Sequence, residues 1–359
     1  RWSYFSACSN GGRQALMEAQ RFPEDYDGII AGAPANNWTR LLSSAAALLK
    51  ATLAEPGAYI PAAKLRAIQN AVLAACDALD GVNDGVLEDP PRCRFDPAVL
   101  ACRGPESDTC LTAPQVAALG KIYDGLRDSK GALLFPGYSP GGEADPGGFG
   151  PWITGLQPET SALYSFGTQF FKNMVYNDPS WDYRSYEVER DTKAADRLAP
   201  ALNATQADLS RFERRGGKLI LYHGWCDAAI PARSTIDYYR SVVAKMGEAR
   251  TQRFLRLYMA PGVQHCGGGS GPNVFGQFGV PMRDAQHDLA AALERWVEEG
   301  TPPEAIIATR YNKGADPASG VLRTRPLCPY PQVARWDGKG NPDQASSFRC
   351  VAPEERPAR

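Results

Sequence analysis

The sequence predicts an α/β fold, and three observations support this class. Short apolar runs alternate with amphipathic stretches near both ends of the chain, which is the pattern of βαβ units. This rhythm is interrupted between residues 37 and 205, where the composition changes. The chain of 359 residues is 43% hydrophobic and 22% charged, which suffices for a sizeable core.

The charge and hydropathy of the chain exclude some classes of partner. The net charge of −1 argues against nucleic acid or an anionic membrane as a partner. No apolar run approaches the roughly 18 residues that span a bilayer.

The first βαβ unit is predicted within residues 2–34. Residues 2–6 are apolar and aromatic and predict a strand, which leads through a glycine turn into a helix over residues 13–21. Residues 27–34 predict a second strand that is closed by proline. The rhythm returns later, with strands predicted over 218–222 and 254–259 and helices over 232–246 and 285–299. Together these segments predict a parallel sheet with helices between its strands.

The intervening segment is predicted to be an inserted lid domain over residues 37–205, which leaves 1–36 and 206–359 as the core. It carries amphipathic helices near 61–76 and 113–127 and a loop-rich Pro/Gly stretch over 136–158. It also contains a narrow group of cysteines: Cys76, Cys93, Cys102 and Cys110.

Ser9 is predicted to be a nucleophile. It lies between the first strand and helix with Ala7 before it and Gly11 after it, and a nucleophile elbow needs such small residues because strand and helix pack closely around a strained turn. The backbone N–H of Asn10 would then donate to an oxyanion. The alternative is an ordinary serine in a glycine-rich turn.

Asp227 and His265 are the predicted acid and base. Each directly follows a predicted strand, and their order after Ser9 is that of α/β-hydrolases. Carboxyl ends of parallel strands meet at one edge of a sheet, so these loops should converge. Of the three histidines, His223 is predicted to be structural and His287 to lie on the helix 285–299.

The sequence therefore predicts an α/β-hydrolase core with a Ser-His-Asp triad that cleaves esters. The alternatives are a peptidase of the same fold, for which no recognition residues are visible, and a non-catalytic binding remnant.

The nine cysteines predict mostly disulfides and an oxidising compartment. Cys8 precedes Ser9 and Cys266 follows His265, so a bond between these cysteines would bring nucleophile and base together. Two alternatives stay open at this point: Cys226 could pair with either, or both could be separate thiols.

An acidic loop over residues 76–86 contains Asp77, Asp80 and Asp84. Three carboxylates with backbone carbonyls on a glycine-containing loop suit Ca²⁺, although Pro91 stands where an EF-hand would carry its closing glutamate. A solvated acidic turn is the alternative interpretation.

The combination of motifs resembles the tannase and feruloyl esterase family, which includes the mono(2-hydroxyethyl) terephthalate hydrolase. The resemblance covers essentially the whole chain and is carried by residues 8–13, 22–35, 223–227, 265–266 and 325–350. It implies a secreted or periplasmic esterase of aromatic acids, feruloyl, galloyl or terephthalate monoester, with no organic cofactor. It also implies a structural Ca²⁺ in the lid, held by the side chains of Asp77, Asp80 and Asp84 and the carbonyls of Val82 and Val86. The implied disulfides are Cys8–Cys266, Cys76–Cys93, Cys102–Cys110 and Cys328–Cys350, which leave Cys226 free.

One departure from the family concerns the start of the chain. Family members carry a long stretch before the elbow, with the first strands of the sheet and one oxyanion donor, whereas seven residues precede Cys8 here. We therefore expect those strands and the second donor to be missing from this chain, and a segment of the same enzyme to be a partner beside the small aromatic ester.

Overall fold

The structure is a computed structural model that describes residues 1–277 and 284–353. The strands within these ranges are β1 (Tyr4–Cys8), β2 (Gly28–Gly32), β3 (Leu126–Arg127), β4 (Leu133–Phe135), β5 (Lys218–Gly224), β6 (Leu255–Ala260), β7 (Ile306–Tyr311), β8 (Val321–Leu327), β9 (Val333–Trp336) and β10 (Phe348–Val351). The α-helices are α1 (Asn10–Arg21), α2 (Trp38–Leu49), α3 (Leu65–Cys76), α4 (Ala113–Asp124), α5 (Ala162–Gln169), α6 (Val188–Asp196), α7 (Ala199–Leu202), α8 (Ser210–Arg214), α9 (Arg233–Met246), α10 (Glu248–Thr251) and α11 (Leu289–Glu299).

The core is a four-stranded parallel sheet in the order β1-β2-β5-β6. Every residue of β2 is buried because helices cover both faces, which is why its sequence is continuously apolar rather than alternating. On one face Leu219 and Leu221 pack with Leu16 of α1, and on the other Ile220 packs with Trp296 of α11. The sheet thus aligns the carboxyl ends of β1, β2, β5 and β6 along one edge.

The predicted α/β class is confirmed, and several element boundaries differ from prediction. The first strand covers residues 4–8 rather than 2–6. The helix predicted over 113–127 ends at Asp124, because Gly125 has a φ of 79° that breaks the helix before the short β3.

The helix predicted over 285–299 begins only at Leu289. The side chain of Asp288 accepts hydrogen bonds from Ala290 N and Ala291 N and so caps the helix four residues later than expected. The prediction that His287 lies on this helix is therefore wrong. His287 lies in the preceding turn, where its Nδ1 is 2.8 Å from Asp284 Oδ1.

Residues 37–205 lie between β2 and β5, and the part of the sheet that the structure describes takes no strand from them. Their apolar side chains form two clusters, one around Ile68, Leu119 and Phe149 and another around Phe170 and Phe171, and both clusters also take in core residues after β5 such as Ala228 and Ile230. The two chain segments that connect residues 37–205 to the core are hydrogen-bonded to each other. Asn203 Nδ2 lies 3.1 Å from Asn37 Oδ1, and Ala204 N donates to Asn36 O at 2.8 Å.

The carboxyl-terminal part adds two antiparallel hairpins, β7 with β8 and β9 with β10. A disulfide between Cys328 and Cys350 joins them. No helix in the described ranges combines the length and apolarity that crossing a membrane demands.

Candidate active site

Ser9 lies at the turn between β1 and α1 in a strained conformation, with φ 65° and ψ −125°. A non-glycine residue in this region costs free energy and persists only where its surroundings hold it. Here the backbone of Ser9 is held on both sides, since its N–H donates to Gly32 O at 3.0 Å and its carbonyl accepts from Ala35 N at 3.1 Å. The backbone turn that carries Ser9, at the carboxyl end of β1, is therefore held in place by the end of β2 and the segment that follows it.

Small residues around Ser9 are required by close approach. A Cβ on Gly11 would lie 2.9 Å from the Cβ of Ala7, and a Cβ on Gly12 would lie 2.6 Å from the carbonyl oxygen of Gly32. Asn10 begins α1, and the first amides of a helix have no intrahelical partner. The backbone N–H of Asn10 is one of these amides.

Asp227 is buried after β5, with 1% of its surface exposed. Its Oδ1 accepts hydrogen bonds from the backbone N–H groups of Ala229 and Ile230, both at 2.8 Å. Its Oδ2 lies 2.8 Å from Nδ1 of His265 and 3.0 Å from Nε2 of His223. The two carboxylate oxygens therefore have four hydrogen-bond partners, and the predicted acid and base are in direct contact.

The electrostatics of this pair keep Asp227 ionised. Burial raises the pKa of the Asp227 carboxyl, but the charge of His265 and the hydrogen bonds from His223 and His265 outweigh burial and hold that pKa well below its usual range. Burial lowers the pKa of His265, but the charge and hydrogen bond of Asp227 outweigh it and raise the pKa above its ordinary value. A carboxylate that stabilises an imidazolium is what a general base needs from its partner.

His265 follows β6 and is tied to the elbow. A disulfide joins Cys8 and Cys266 with 5.9 Å between their Cα atoms, so the residues adjacent to Ser9 and His265 are cross-linked. Within the described residues, neither Nε2 of His265 nor the Ser9 hydroxyl has a hydrogen-bond partner. Hydrogen bonds between catalytic groups are often long or poorly aligned in the absence of substrate and tighten only in the complex. The Ser9 hydroxyl and Nε2 of His265 are both available to form such a bond.

Trp152, from the segment between β2 and β5, packs edge-on against the imidazole of His265, with 5.1 Å between ring centroids. Sequence reasoning missed this contact. No spacing rule connects residues 152 and 265, and tryptophan in a Pro/Gly-rich stretch is not a distinctive signal.

The structure contains the four disulfides that the resemblance implied, the remaining three being Cys76–Cys93, Cys102–Cys110 and Cys328–Cys350. Cys226 is a buried free thiol directly before Asp227. Burial raises the pKa of this thiol well above its ordinary value, which disfavours the reactive thiolate form.

The acidic loop is held largely by its own bonds. Gly85 N donates to Asp77 Oδ2 at 2.9 Å, and Val82 N donates to Asp80 Oδ1 at 2.9 Å. Asp84 Oδ2 is bound by Arg323 Nη1 at 2.8 Å and by Arg325 Nη2 at 2.5 Å, so β8 holds the loop. In the described ranges, no group of three acidic, histidine or cysteine side chains is arranged to hold a metal ion.

A parallel sheet with a half-buried serine at a strained strand-to-helix turn, and an Asp–His pair on loops after later strands, is the arrangement of the α/β-hydrolase fold. The family described as tannase and feruloyl esterase matches residues 1–351, and this chain belongs to that family.

Known relatives and a solved structure are similar to this chain over nearly its whole length. An uncharacterized esterase of Xanthomonas campestris is 46% identical over 98% of this chain and 65% of its own length. Feruloyl esterase B of Aspergillus niger is 34% identical over 98% of the chain and 66% of its own length. The crystal structure of feruloyl esterase B from Aspergillus oryzae superimposes with a TM-score of 0.88 at 30% identity, covering 98% of this chain and 70% of that one. The chain thus spans about two thirds of the length of these curated relatives.

Proposed function

We propose that this chain carries the catalytic residues of a serine esterase that hydrolyses carboxylic esters of aromatic acids. The observation that supports this best is the Asp227–His265 hydrogen bond at 2.8 Å on a base loop cross-linked to the Ser9 elbow. The aromatic acyl group is proposed because similar proteins are named feruloyl esterases.

The proposed reaction has two steps. Nε2 of His265 accepts the hydroxyl proton of Ser9 as Oγ attacks the ester carbonyl, and Asp227 stabilises the imidazolium. The backbone N–H of Asn10 donates to the carbonyl oxygen as negative charge develops on it. His265 then returns the proton to the departing alkoxide oxygen, which leaves an acyl group on Ser9. In the second step, water attacks the acyl carbonyl as the same imidazole accepts its proton. His265 then returns this proton to Ser9 Oγ as the bond to the acyl group breaks and the acid leaves.

A chromogenic short-chain ester and a phosphonate that labels active serines test this proposal. The wild-type chain should hydrolyse the ester and gain the mass of one phosphonyl group, and Ser9→Ala should lose both. Ser6→Ala, at an exposed position of β1, is the matched control. A folded wild-type chain that shows neither activity nor labelling would instead be a binding remnant of the same fold.

We further propose that the acidic loop binds Ca²⁺ in a structural role. Asp77, Asp80 and Asp84 share one loop with the buried Val82 and Val86, and within the described residues neither valine carbonyl accepts a hydrogen bond. Backbone carbonyls and carboxylates are the oxygen ligands that Ca²⁺ prefers, and the two valine carbonyls have lone pairs available for it. We expect the carboxylates to reorient on binding.

Elemental analysis and thermal unfolding test the calcium proposal without an activity assay. Calcium at 100 times its Kd should stabilise the fold by about 2.7 kcal/mol, which a chelator should reverse. Asp80→Asn should weaken this response, whereas Asp108→Asn, at an exposed position of the same segment, should leave it unchanged. Purified protein without calcium, whose melting temperature does not respond to it, would contradict the proposal.

We infer an oxidising location, secreted or periplasmic, from the four disulfides.

A further inference from the structure

A second imidazole contacts the acid of the proposed triad. His223, within β5, has no exposed surface, and its Nε2 lies 3.0 Å from Asp227 Oδ2 and 3.1 Å from Ile230 O. Its other ring nitrogen, Nδ1, lies 2.7 Å from the hydroxyl oxygen of Thr235 on α9. Both polar edges of this buried ring are therefore engaged.

The partners of the ring define its tautomer. Nε2 faces two oxygens that can only accept while Asp227 is ionised, so this nitrogen carries a hydrogen. In the neutral ring, Nδ1 then accepts from the hydroxyl of Thr235. The result is a directional chain of hydrogen bonds in which Thr235 donates to His223 and His223 donates to Asp227.

We propose that His223 is a positioning residue that holds the Asp227 carboxylate in the orientation that His265 requires. This inference rests on the esterase function proposed above and adds to it a residue that does not touch the substrate. Of the two carboxylate oxygens, Oδ1 is held by backbone amides and Oδ2 is shared by the two imidazoles. Without the second imidazole, Oδ2 would be held only by the group it must orient.

The surroundings of Asp227 explain why its orientation needs a second donor. The carboxylate is almost fully buried, so water does not replace a lost hydrogen bond. During proton transfer His265 changes charge and its bond to Oδ2 changes strength, whereas the His223 bond can remain constant. A fixed donor on the same oxygen keeps the carboxylate oriented toward the reacting imidazole, which preserves the alignment on which transfer depends.

Four variants test the role of this donor. His223→Leu removes both polar edges, whereas His223→Gln keeps an N–H that can reach Asp227. Thr235→Val removes the hydroxyl that donates to Nδ1 of the neutral ring, and Thr235→Ser retains it. We expect His223→Leu to lower kcat by about 10- to 100-fold with little change in KM, by analogy with the range for residues that orient the ligands of metal sites. The glutamine variant should recover most of this loss, Thr235→Val should fall between, and Thr235→Ser should match the wild type.

Melting temperatures separate positioning from a purely structural role. If His223 only supports the fold, kcat per folded molecule will be the same in the leucine and glutamine variants, and this result would overturn the proposal. Should the leucine variant not fold, Thr235→Val against Thr235→Ser provides the same comparison, and equal rates for that pair would also overturn it.

Nitrogen-15 NMR of the wild-type chain makes the test independent of esterase activity. We expect the proton of His223 on Nε2, hydrogen-bonded to Asp227, and a shift of its resonance in Asp227→Ala, where Ile230 O is the remaining acceptor. A ring protonated only on Nδ1 would contradict the inference even in an active enzyme. A chain that neither hydrolyses esters nor labels at Ser9, but shows the Nε2 proton, would refute the esterase function while leaving the His223–Asp227 contact established.

Discussion

The proposed triad and the acidic loop are both tied to distant parts of the chain, but they are positioned in different ways. Ser9, Asp227 and His265 each follow a strand of one parallel sheet, so the backbone topology alone brings them to the same edge. The acidic loop belongs to no sheet, and ion pairs from Asp84 to Arg323 and Arg325 hold it against β8. Position follows from topology in the first region and from individual side-chain contacts in the second.

The disulfides show the same contrast. Cys8–Cys266 closes 258 residues and links two strand ends of the core. Cys76–Cys93 and Cys102–Cys110 close 17 and 8 residues and act within the intervening segment. The core is thus cross-linked over a long range and the segment only locally, which leads to different expectations for substitutions in each.

The largest expected effect is on the acid. Asp227→Asn should leave the fold intact but lower kcat by about 10⁴-fold, because the imidazole loses the partner that orients and stabilises it. Asp25→Asn, at an exposed position, should have no effect. Steady-state kinetics measure the change, and near-normal turnover in the Asp227 variant would remove Asp227 from the triad.

The second prediction compares two disulfides. Replacing Cys8 and Cys266 by alanine should lower the free energy of unfolding by about 4 kcal/mol, because a long loop is released, and should also lower turnover, because the Ser9 and His265 loops separate. Replacing Cys102 and Cys110 should cost about 2 kcal/mol and leave turnover per folded molecule unchanged. Denaturant unfolding and active-site titration distinguish these results. Equal loss of turnover in both variants would mean that the long cross-link has no special role in the site.

How far sequence reasoning succeeded follows from this contrast. The sheet strands and the contact between Asp227 and His265 were predictable, because apolar runs locate strands and strand ends locate the loops. The start of α11 was not, because the cap at Asp288 overrides the helical pattern before it. The contact of Asp227 with His223 had a faint signal in the spacing of four residues, but whether the ring faces the carboxylate depends on the turn between them. The pairing of Arg325 with Asp84 had none.

The third prediction concerns that pair. Arg325→Met should lower the free energy of unfolding by about 3 kcal/mol, the low end for a broken buried ion pair, because Arg323 still binds Asp84. Arg295→Met, whose exposed ion pair with Glu299 lies on α11, should change stability by less than about 1 kcal/mol. Chemical denaturation measures both. If the two variants are equally stable, side-chain contacts with β8 do not hold the acidic loop.

The smallest expected effect is the pH dependence of the proposed triad. Asp227 raises the pKa of His265 above its ordinary value, and the base must be neutral to accept a proton, so kcat/KM should fall about tenfold per pH unit below that pKa. Stability moves in the opposite direction. Because the pKa of His265 is higher in the folded chain than in the unfolded chain, its contribution to stability is complete below the unfolded pKa of about 6.5. This contribution is lost as the pH rises through the pKa of the folded state.

The variant Asp227→Asn tests the origin of this pH dependence. It removes the charge that raises the pKa of His265 while burial remains, so the acidic limb of any residual activity should move to lower pH. His287→Gln, in the exposed turn before α11, should leave the profile unchanged. A limb that stays in place without the Asp227 charge would show that a group other than His265 governs it.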